Sequence, residues 1–218
     1  MDLPFLWTAP LTGDANATVV LDDAPTMPSV RTTYHGLEGN EHLQQPFVYR
    51  GVFTREQCER IKALGRARPI WNGRSTSDDD DYRICKTSWI EEVPEADFVF
   101  ARLRDVVRSV NKLYQVEAAG FAEPLHYIEY EPGGRFEWHT DLGNGPMSTR
   151  KISLSVQLSE DDDYLGGDLE FCPHGVIEEF RGIGNVICFP SYIAHRVLPV
   201  ASGMRQALVA WIHGPSFR

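Results

Sequence analysis

His139 and Asp141, in the run Trp138-His139-Thr140-Asp141, are the first residues whose types and spacing suit metal chemistry. On a strand, residues i and i+2 point to one face, so an imidazole nitrogen and a carboxylate oxygen can reach the same ion. Alone the pair is a weak signal, because a surface histidine near a surface aspartate is the commoner cause of such spacing. His195 changes the balance. It closes Phe189-Pro190-Ser191-Tyr192-Ile193-Ala194-His195, just before another β-type run. Two histidines and one carboxylate on one side of a metal leave adjacent positions open, as non-haem Fe(II) oxygen chemistry requires.

Arg205 follows shortly after. A guanidinium grips a carboxylate through two parallel hydrogen bonds. It would suit the distal carboxylate of 2-oxoglutarate while the keto-acid end of that ligand chelates iron. The stretch 151–158 alternates, with Ile152, Leu154, Val156 and Leu158 on one face and Ser153, Ser155 and Gln157 on the other. A polar face is solvated in many antiparallel sheets, but in a barrel-like core it lines a pocket. The alternation alone does not choose between the two.

The elements that position these residues begin with an irregular stretch over 1–45, rich in Pro, Thr, Asp and Gly and punctuated too often for long elements. A short strand at 47–53 leads into Thr54-Arg55-Glu56-Gln57, a capping-box start with Thr54 as N-cap. Cys58, Ile61 and Leu64 continue at helical spacing, and Gly65 with Pro69 should end a helix over 54–65. Residues 72–82 are polar and Gly/Ser/Asp-rich, a mobile turn or a lid beside a site. A second helix over 95–114 carries one apolar stripe through Val99, Leu103, Val106, Val107, Val110, Leu113 and Tyr114. From 125 onward short β-type runs alternate with turn signals such as Pro132-Gly133-Gly134 and Gly166-Gly167. That texture indicates a sandwich, barrel or jelly roll. The class is mainly β with flanking helices (α+β), in one domain over 46–218.

Composition removes other classes. A formal charge of −10 with no basic stripe argues against nucleic-acid binding. No stretch approaches the roughly 20 apolar residues that span a bilayer. Cys58, Cys85, Cys172 and Cys188 form no C-x-x-C pair, and so few cysteines do not make a disulfide framework. The N-terminus has no basic n-region and too short an apolar run for a signal peptide. A cytoplasmic protein with reduced thiols is expected.

Three stretches, HYIEYEPGGRFEWHTD, RKISLSVQLSEDDDYLGGDLEF and GNVICFPSYIAHRVLPVASGMRQALVAWIHG, together resemble the prolyl 4-hydroxylase-like branch of the 2-oxoglutarate/Fe(II) dioxygenases. Upstream, YRICKTSWI is similar to the strand that precedes the long helix in that family. The resemblance implies a distorted double-stranded β-helix (jelly roll, cupin-like) core. It implies Fe(II) on His139, Asp141 and His195, with 2-oxoglutarate as co-substrate, O2 as oxidant and ascorbate as a reductant. It implies that Arg205 binds the distal carboxylate, that Tyr130 lies near the co-substrate, and that Gln157 stands where relatives place a carboxylate-binding hydroxyl. Trp211 would be an aromatic near the metal pocket, or plain core packing. Arg150 holds a position that touches substrate in relatives. Phe136 replaces a tyrosine common on the substrate side, and Trp138 directly precedes the first metal histidine. Both departures weaken the case for a peptidyl-proline substrate.

The activity so implied is hydroxylation of an unactivated C–H bond in an amino acid, peptidyl residue or small metabolite, releasing succinate and CO2. Two other classes stay open at this point. A non-catalytic metal or 2-oxo acid sensor could share the scaffold, which succinate production would exclude. A zinc-dependent hydrolase would need a general-base carboxylate beside the metal, for which Glu137 is the candidate.

Overall fold

The computed structural model describes residues 39–73 and 82–216 of the chain. Most of the 1–45 stretch and the centre of the polar 72–82 loop therefore lie outside the described residues. In chain order the first elements are β1 (Phe47–Tyr49), α1 (Arg55–Arg66), β2 (Trp71–Gly73), β3 (Arg83–Ile90) and α2 (Asp97–Tyr114). They are followed by β4 (Gly120–Phe121), β5 (Leu125–Tyr130), β6 (Arg135–His139) and β7 (Arg150–Gln157). Next come β8 (Tyr164–Gly166), β9 (Leu169–Phe171), β10 (Gly175–Val176) and β11 (Val186–Pro190). The chain closes with β12 (His195–Val197), β13 (Val200–Gly203) and β14 (Arg205–His213).

The strands form a curled antiparallel sheet in the order β1-β11-β7-β14-β5-β3-β6-β12-β9-β10. The fold turns at β3. Its residues Lys86–Ile90 pair with β5, whereas Arg83 and Ile84 pair with β6. One strand thus passes from the larger layer to the smaller. Side chains of the larger layer alternate between an outer face under the helices and an inner face toward the second layer. In β7, Ile152, Leu154 and Val156 pack with the helices, and Ser153, Ser155 and Gln157 face inward beside Trp211, Val209 and Ala207 of β14. All six are buried. The polar face of β7 is an interior surface.

α1 starts where its capping box requires. Thr54 Oγ1 accepts from Gln57 N at 3.2 Å, and Gln57 Oε1 accepts from Thr54 N at 3.0 Å. Thr54→Ala should lower stability by about 1 kcal/mol, read as a lower urea midpoint with unchanged slope; an unchanged midpoint would deny the cap its role. Gly65 does not end this helix, which runs to Arg66. A side chain at Gly65 would collide with the Tyr127 ring, so the glycine lets α1 lie directly on the sheet. Its carbonyl accepts a hydrogen bond from Ser88 Oγ at 2.7 Å.

α2 buries Val99, Phe100, Leu103, Val106, Val110 and Tyr114 against β7, β11 and β14, with Val107 and Leu113 half-buried at the stripe's edge. Each fully buried large apolar side chain contributes about 1.5–3 kcal/mol. Tyr114 also donates its hydroxyl to the carbonyls of Gln45 and Cys188, at 2.8 and 2.9 Å. Asn40 donates to the carbonyls of Leu113 and Tyr114, closing the helix C-terminus. A second core between the layers holds Ile128, Tyr130, Phe171, Phe180, Ile187 and Phe189. The site lies at one end of that inner core.

Candidate active site

β6 and β12 are neighbours, with His139 directly opposite His195. That pairing alone sets the two imidazoles side by side, their ring centroids 4.2 Å apart. Asp141 joins them differently from the simple strand alternation expected, because β6 stops at His139 and Asp141 lies in the bend beyond it. Leu142 N donates to Ser191 O at 2.8 Å, fixing the bend to the segment before β12. Asp141 Oδ1 lies 4.0 Å from His139 Nε2, and Oδ2 lies 3.7 Å from His195 Nε2. Among the described residues, these three form the one cluster of three or more His, Cys, Asp or Glu side chains whose ligand atoms all lie within 4.8 Å of one another.

The donor chemistry of the trio fits a shared cation. His139 Nδ1 lies 2.7 Å from the Glu137 carbonyl, and His195 Nδ1 lies 3.0 Å from the Ile193 carbonyl. A carbonyl only accepts, so each Nδ1 carries the proton and each Nε2 keeps its lone pair. Asp141 Oδ2 is buried and has no hydrogen-bond donor. Burial would raise the Asp141 pKa, but the two imidazoles and the nearby Ser153 and Trp211 outweigh it and the carboxylate stays ionised below its usual range. Buried charge without a donor is costly unless a cation meets it.

Around the trio the sequence places aromatic walls. The Phe136 ring stacks on His139 with centroids 3.5 Å apart, and the Arg83 guanidinium carbon lies 4.7 Å from the Phe136 ring centre. Phe189 packs edge-on against His195 at 4.6 Å. Phe136 therefore steadies the His139 ring and is itself packed against a cation. Trp138 points away, 39% exposed and under the Arg196 guanidinium.

Arg150, expected to touch substrate, is buried with its donors committed. Nε and Nη2 grip Glu123 Oε1 and Oε2 at 2.7 and 2.5 Å. Nη1 donates to the Asp141 carbonyl at 3.2 Å, and the guanidinium carbon sits 3.7 Å from the Trp211 ring. Trp211 is thereby held beside Asp141 and His126. Its indole N–H is buried without a partner of ordinary geometry and acts on Asp141 as a nearby dipole. Glu123 also meets His213 Nε2 at 3.0 Å. Nothing in the spacing of Glu123, Arg150 and His213 announces this frame; only the fold brings them together.

At the other end of the inner face stands Arg205, 2% exposed and opposite Tyr130 in the β14–β5 ladder. Its guanidinium carbon is 5.6 Å from the Tyr130 ring centre. No described carboxylate pairs with it. Gln157 lies one step along the neighbouring strand, opposite Ala207. A buried guanidinium is costly unless an anion meets it.

His126 faces inward too, stacked on Trp89 with centroids 4.2 Å apart and hydrogen-bonded to Thr87. Burial first, then Arg83 and Arg150, hold its pKa well below the usual histidine value. Burial and the adjacent His195 lower His139 to about 3, and burial lowers His213. These groups are neutral when folded and titrate near pH 6.5 when unfolded, so acid favours the unfolded chain. The metal-free protein should keep this stability above pH about 6.5 and lose it as pH falls below that value, by up to ~1.4 kcal/mol per pH unit for each histidine. Urea midpoints at pH 7 and pH 5 measure the loss, and His126→Phe should shrink it; equal midpoints would contradict the assignment.

With that geometry in place, known proteins supply the family. The 2OG-Fe(II) oxygenase superfamily pattern matches residues 125–213, the stretch that carries all three trio residues and Arg205. A PKHD-type hydroxylase of Burkholderia ambifaria (strain MC40-6) is 30% identical over 180 residues, covering 74% of this chain and 75% of that protein. The chain belongs to the 2OG-Fe(II) oxygenase superfamily. A PKHD-type hydroxylase of Synechococcus elongatus is 29% identical over 174 residues, covering 72% of this chain and 73% of the relative. In fold, this oxygenase is similar to a Pseudomonas putida prolyl-4-hydroxylase, with a TM-score of 0.63, 21% identity and 78% and 93% of the two chains covered. It is also similar to a Trichoplax adhaerens prolyl hydroxylase solved with a hypoxia inducible factor peptide fragment, with a TM-score of 0.61, 17% identity and coverage of 78% and 84%. The oxygenase thus has a double-stranded β-helix core and is a 2-oxoglutarate-dependent hydroxylase that uses Fe(II) and O2. Glu137, the carboxylate that a hydrolase would need, is half-exposed and lies 3.4 Å from Arg135 Nε. No helix among the described residues is long and apolar enough to cross a membrane.

Proposed function

We propose that His139, Asp141 and His195 hold the iron, that Arg205 with Tyr130 and Gln157 beside it receives the distal carboxylate of 2-oxoglutarate, and that the oxygenase hydroxylates a peptidyl residue. The observation that carries the metal assignment is Asp141 Oδ2, buried and donorless between two imidazoles whose Nδ1 protons are already given away. Bound there, Fe(II) and 2-oxoglutarate supply the O2 chemistry that puts one oxygen atom into a substrate C–H bond and the other into succinate, with release of CO2.

The chain's own residues supply geometry. His139 and His195 present Nε2 lone pairs in fixed directions, because their Nδ1–H groups are anchored on carbonyls within their own strands' approach. Phe136, Phe189 and Trp211 wall the trio and exclude water, which strengthens every charge interaction inside. Arg205 presents a planar fork in a dry interior, where bidentate binding of a carboxylate is strong. The frame of Glu123 and Arg150 holds the Asp141 main chain, so the carboxylate ligand sits on a rigid base although it lies past the strand end.

Support for a peptidyl substrate is the fold likeness to a hydroxylase solved with a bound peptide. Ascorbate is the proposed reductant that keeps the iron ferrous between turnovers. Four unpaired cysteines support a reducing, cytoplasmic setting. Succinate release, measured with Fe(II), 2-oxoglutarate and O2 over Pro-containing peptides and free amino acids, tests the substrate reading. Peptides should stimulate release above the substrate-free rate. Stimulation by free amino acids alone would replace a peptidyl substrate with a small one.

A further inference from the structure

Beside Arg205 the interior contains an unmatched pair of polar groups. Gln157 is fully buried; its Nε2 donates to Tyr164 Oη at 2.9 Å and, through a long bond of 3.4 Å, to the Ser159 carbonyl. Its Oε1 has no donor, and the Tyr164 hydroxyl proton has no acceptor among the described residues. One donor and one acceptor are thus left over within a single contact. The two ends of a primary amide have nearly the same size and shape. Turning the Gln157 amide over gives up the long bond to the Ser159 carbonyl, lets Tyr164 O–H donate to Oε1 across the same 2.9 Å, and aims the NH2 group in the direction Oε1 had taken.

The surroundings fit this exchange. A Cβ placed on Gly167 would lie 3.4 Å from both Arg205 Cδ and Tyr164 Cδ2, so the arginine and the tyrosine flank one glycine. Gly167 adopts φ +67°, a conformation that favours glycine, which keeps this corner free of a side chain. Arg181, ion-paired with Asp161 and Asp168, lies 4.6 Å above the Tyr164 ring and holds it in place. Gln157 and Arg205 project inward from adjacent strands, one register step apart.

We infer that Tyr164 is a positioning residue for co-substrate binding: its hydroxyl locks the Gln157 amide so that the NH2 group joins Arg205 on the distal carboxylate of 2-oxoglutarate. This rests on the reading of Arg205 given above. A neutral carboxamide is a weak anion ligand when it can rotate, because its oxygen then repels the carboxylate as often as its nitrogen attracts it. Tyr164 removes that ambiguity. The Tyr164 hydroxyl acts through the glutamine and makes no contact of its own with the co-substrate.

The test is anaerobic titration calorimetry of the Fe(II)-loaded full chain with two probes, 2-oxoglutarate and 2-oxopentanoate. The second keeps the keto-acid end and chain length but has a methyl group for the distal carboxylate. Tyr164→Phe should weaken 2-oxoglutarate about tenfold, the scale of one hydrogen bond to a charged group, and leave 2-oxopentanoate within about twofold. Gln157→Leu should do the same, and the double variant should be no weaker than Gln157→Leu alone. Unchanged 2-oxoglutarate affinity in Tyr164→Phe would overturn the inference, as would equal weakening of both probes or additive losses in the double variant. Arg205→Ala separates the two levels. If it weakens 2-oxoglutarate while Tyr164→Phe does not, only the role of Tyr164 falls; if it has no effect, the anion pocket and this inference fall together.

Discussion

His139→Ala and Asp141→Ala should each abolish succinate release and strip Fe(II) from the protein at limiting metal. Removing one of the three takes away a donor that nothing else replaces, since the described residues contain no other cluster of three or more His, Cys, Asp or Glu ligand atoms. The loss should exceed the roughly 10–100-fold that removal of an outer hydrogen-bond partner costs. Asp141→Ala has a second signature. The carboxylate is buried between two imidazoles, and its loss leaves two neutral rings 4.2 Å apart with no opposing charge to organise a cation. Metal-free stability near neutral pH should also fall in that variant, because the lowered pKa of Asp141 means that the folded surroundings favour its ionised form. Iron binding by calorimetry and urea midpoints of the metal-free proteins measure the two effects. Full turnover of either variant at limiting iron would remove the metal assignment.

Arg205→Ala should raise the KM for 2-oxoglutarate by roughly 30-fold or more, which corresponds to about 2–5 kcal/mol for losing one partner of a buried charge pair. The cause is specific to this site. Arg205 is inside the fold with no carboxylate of its own, so the ligand supplies the only anion that the described surroundings offer it. Arg205→Lys keeps the charge and loses the fork, and should lie between wild type and alanine. Substrate oxidation at saturating 2-oxoglutarate should recover in both variants, because neither change touches the trio. An unchanged KM in Arg205→Ala would sink the assignment.

Much of this was legible before the fold was known, for physical reasons that differ by residue. His139 and His195 are written in strands with β-type sequence, and residue types that ligate metals stand out against apolar neighbours. The capping box at Thr54 is a local motif that needs no tertiary context, and both of its hydrogen bonds are present. The alternation over 151–158 announced two faces but not which medium the polar face meets; that depended on the second layer curling back over it. Gly65 looked like a helix stop, and became a close-packing point only because Tyr127 of β5 lies beneath it. Asp141 was expected on the strand with His139 and is delivered by a bend instead. Glu123, Arg150 and His213 were unreadable as a group, since their meeting depends on the ends of β7 and β14 and the segment before β5. Long-range frames of that kind leave no periodic trace in sequence.

β14 has a consequence for how the protein is made. It lies between β7 and β5, pairs with β4 as well, and bears Arg205, Trp211 and His213. All of its partners are translated earlier. While a nascent chain is still missing residue 205, β5 and β7 have no common neighbour, and the two histidines of the trio belong to a sheet whose middle is open. Iron captured at that stage would rest on an unfinished scaffold, without the indole wall or the anion receptor. Synthesis order therefore puts completion of the site, with its indole wall and its buried guanidinium, downstream of β14.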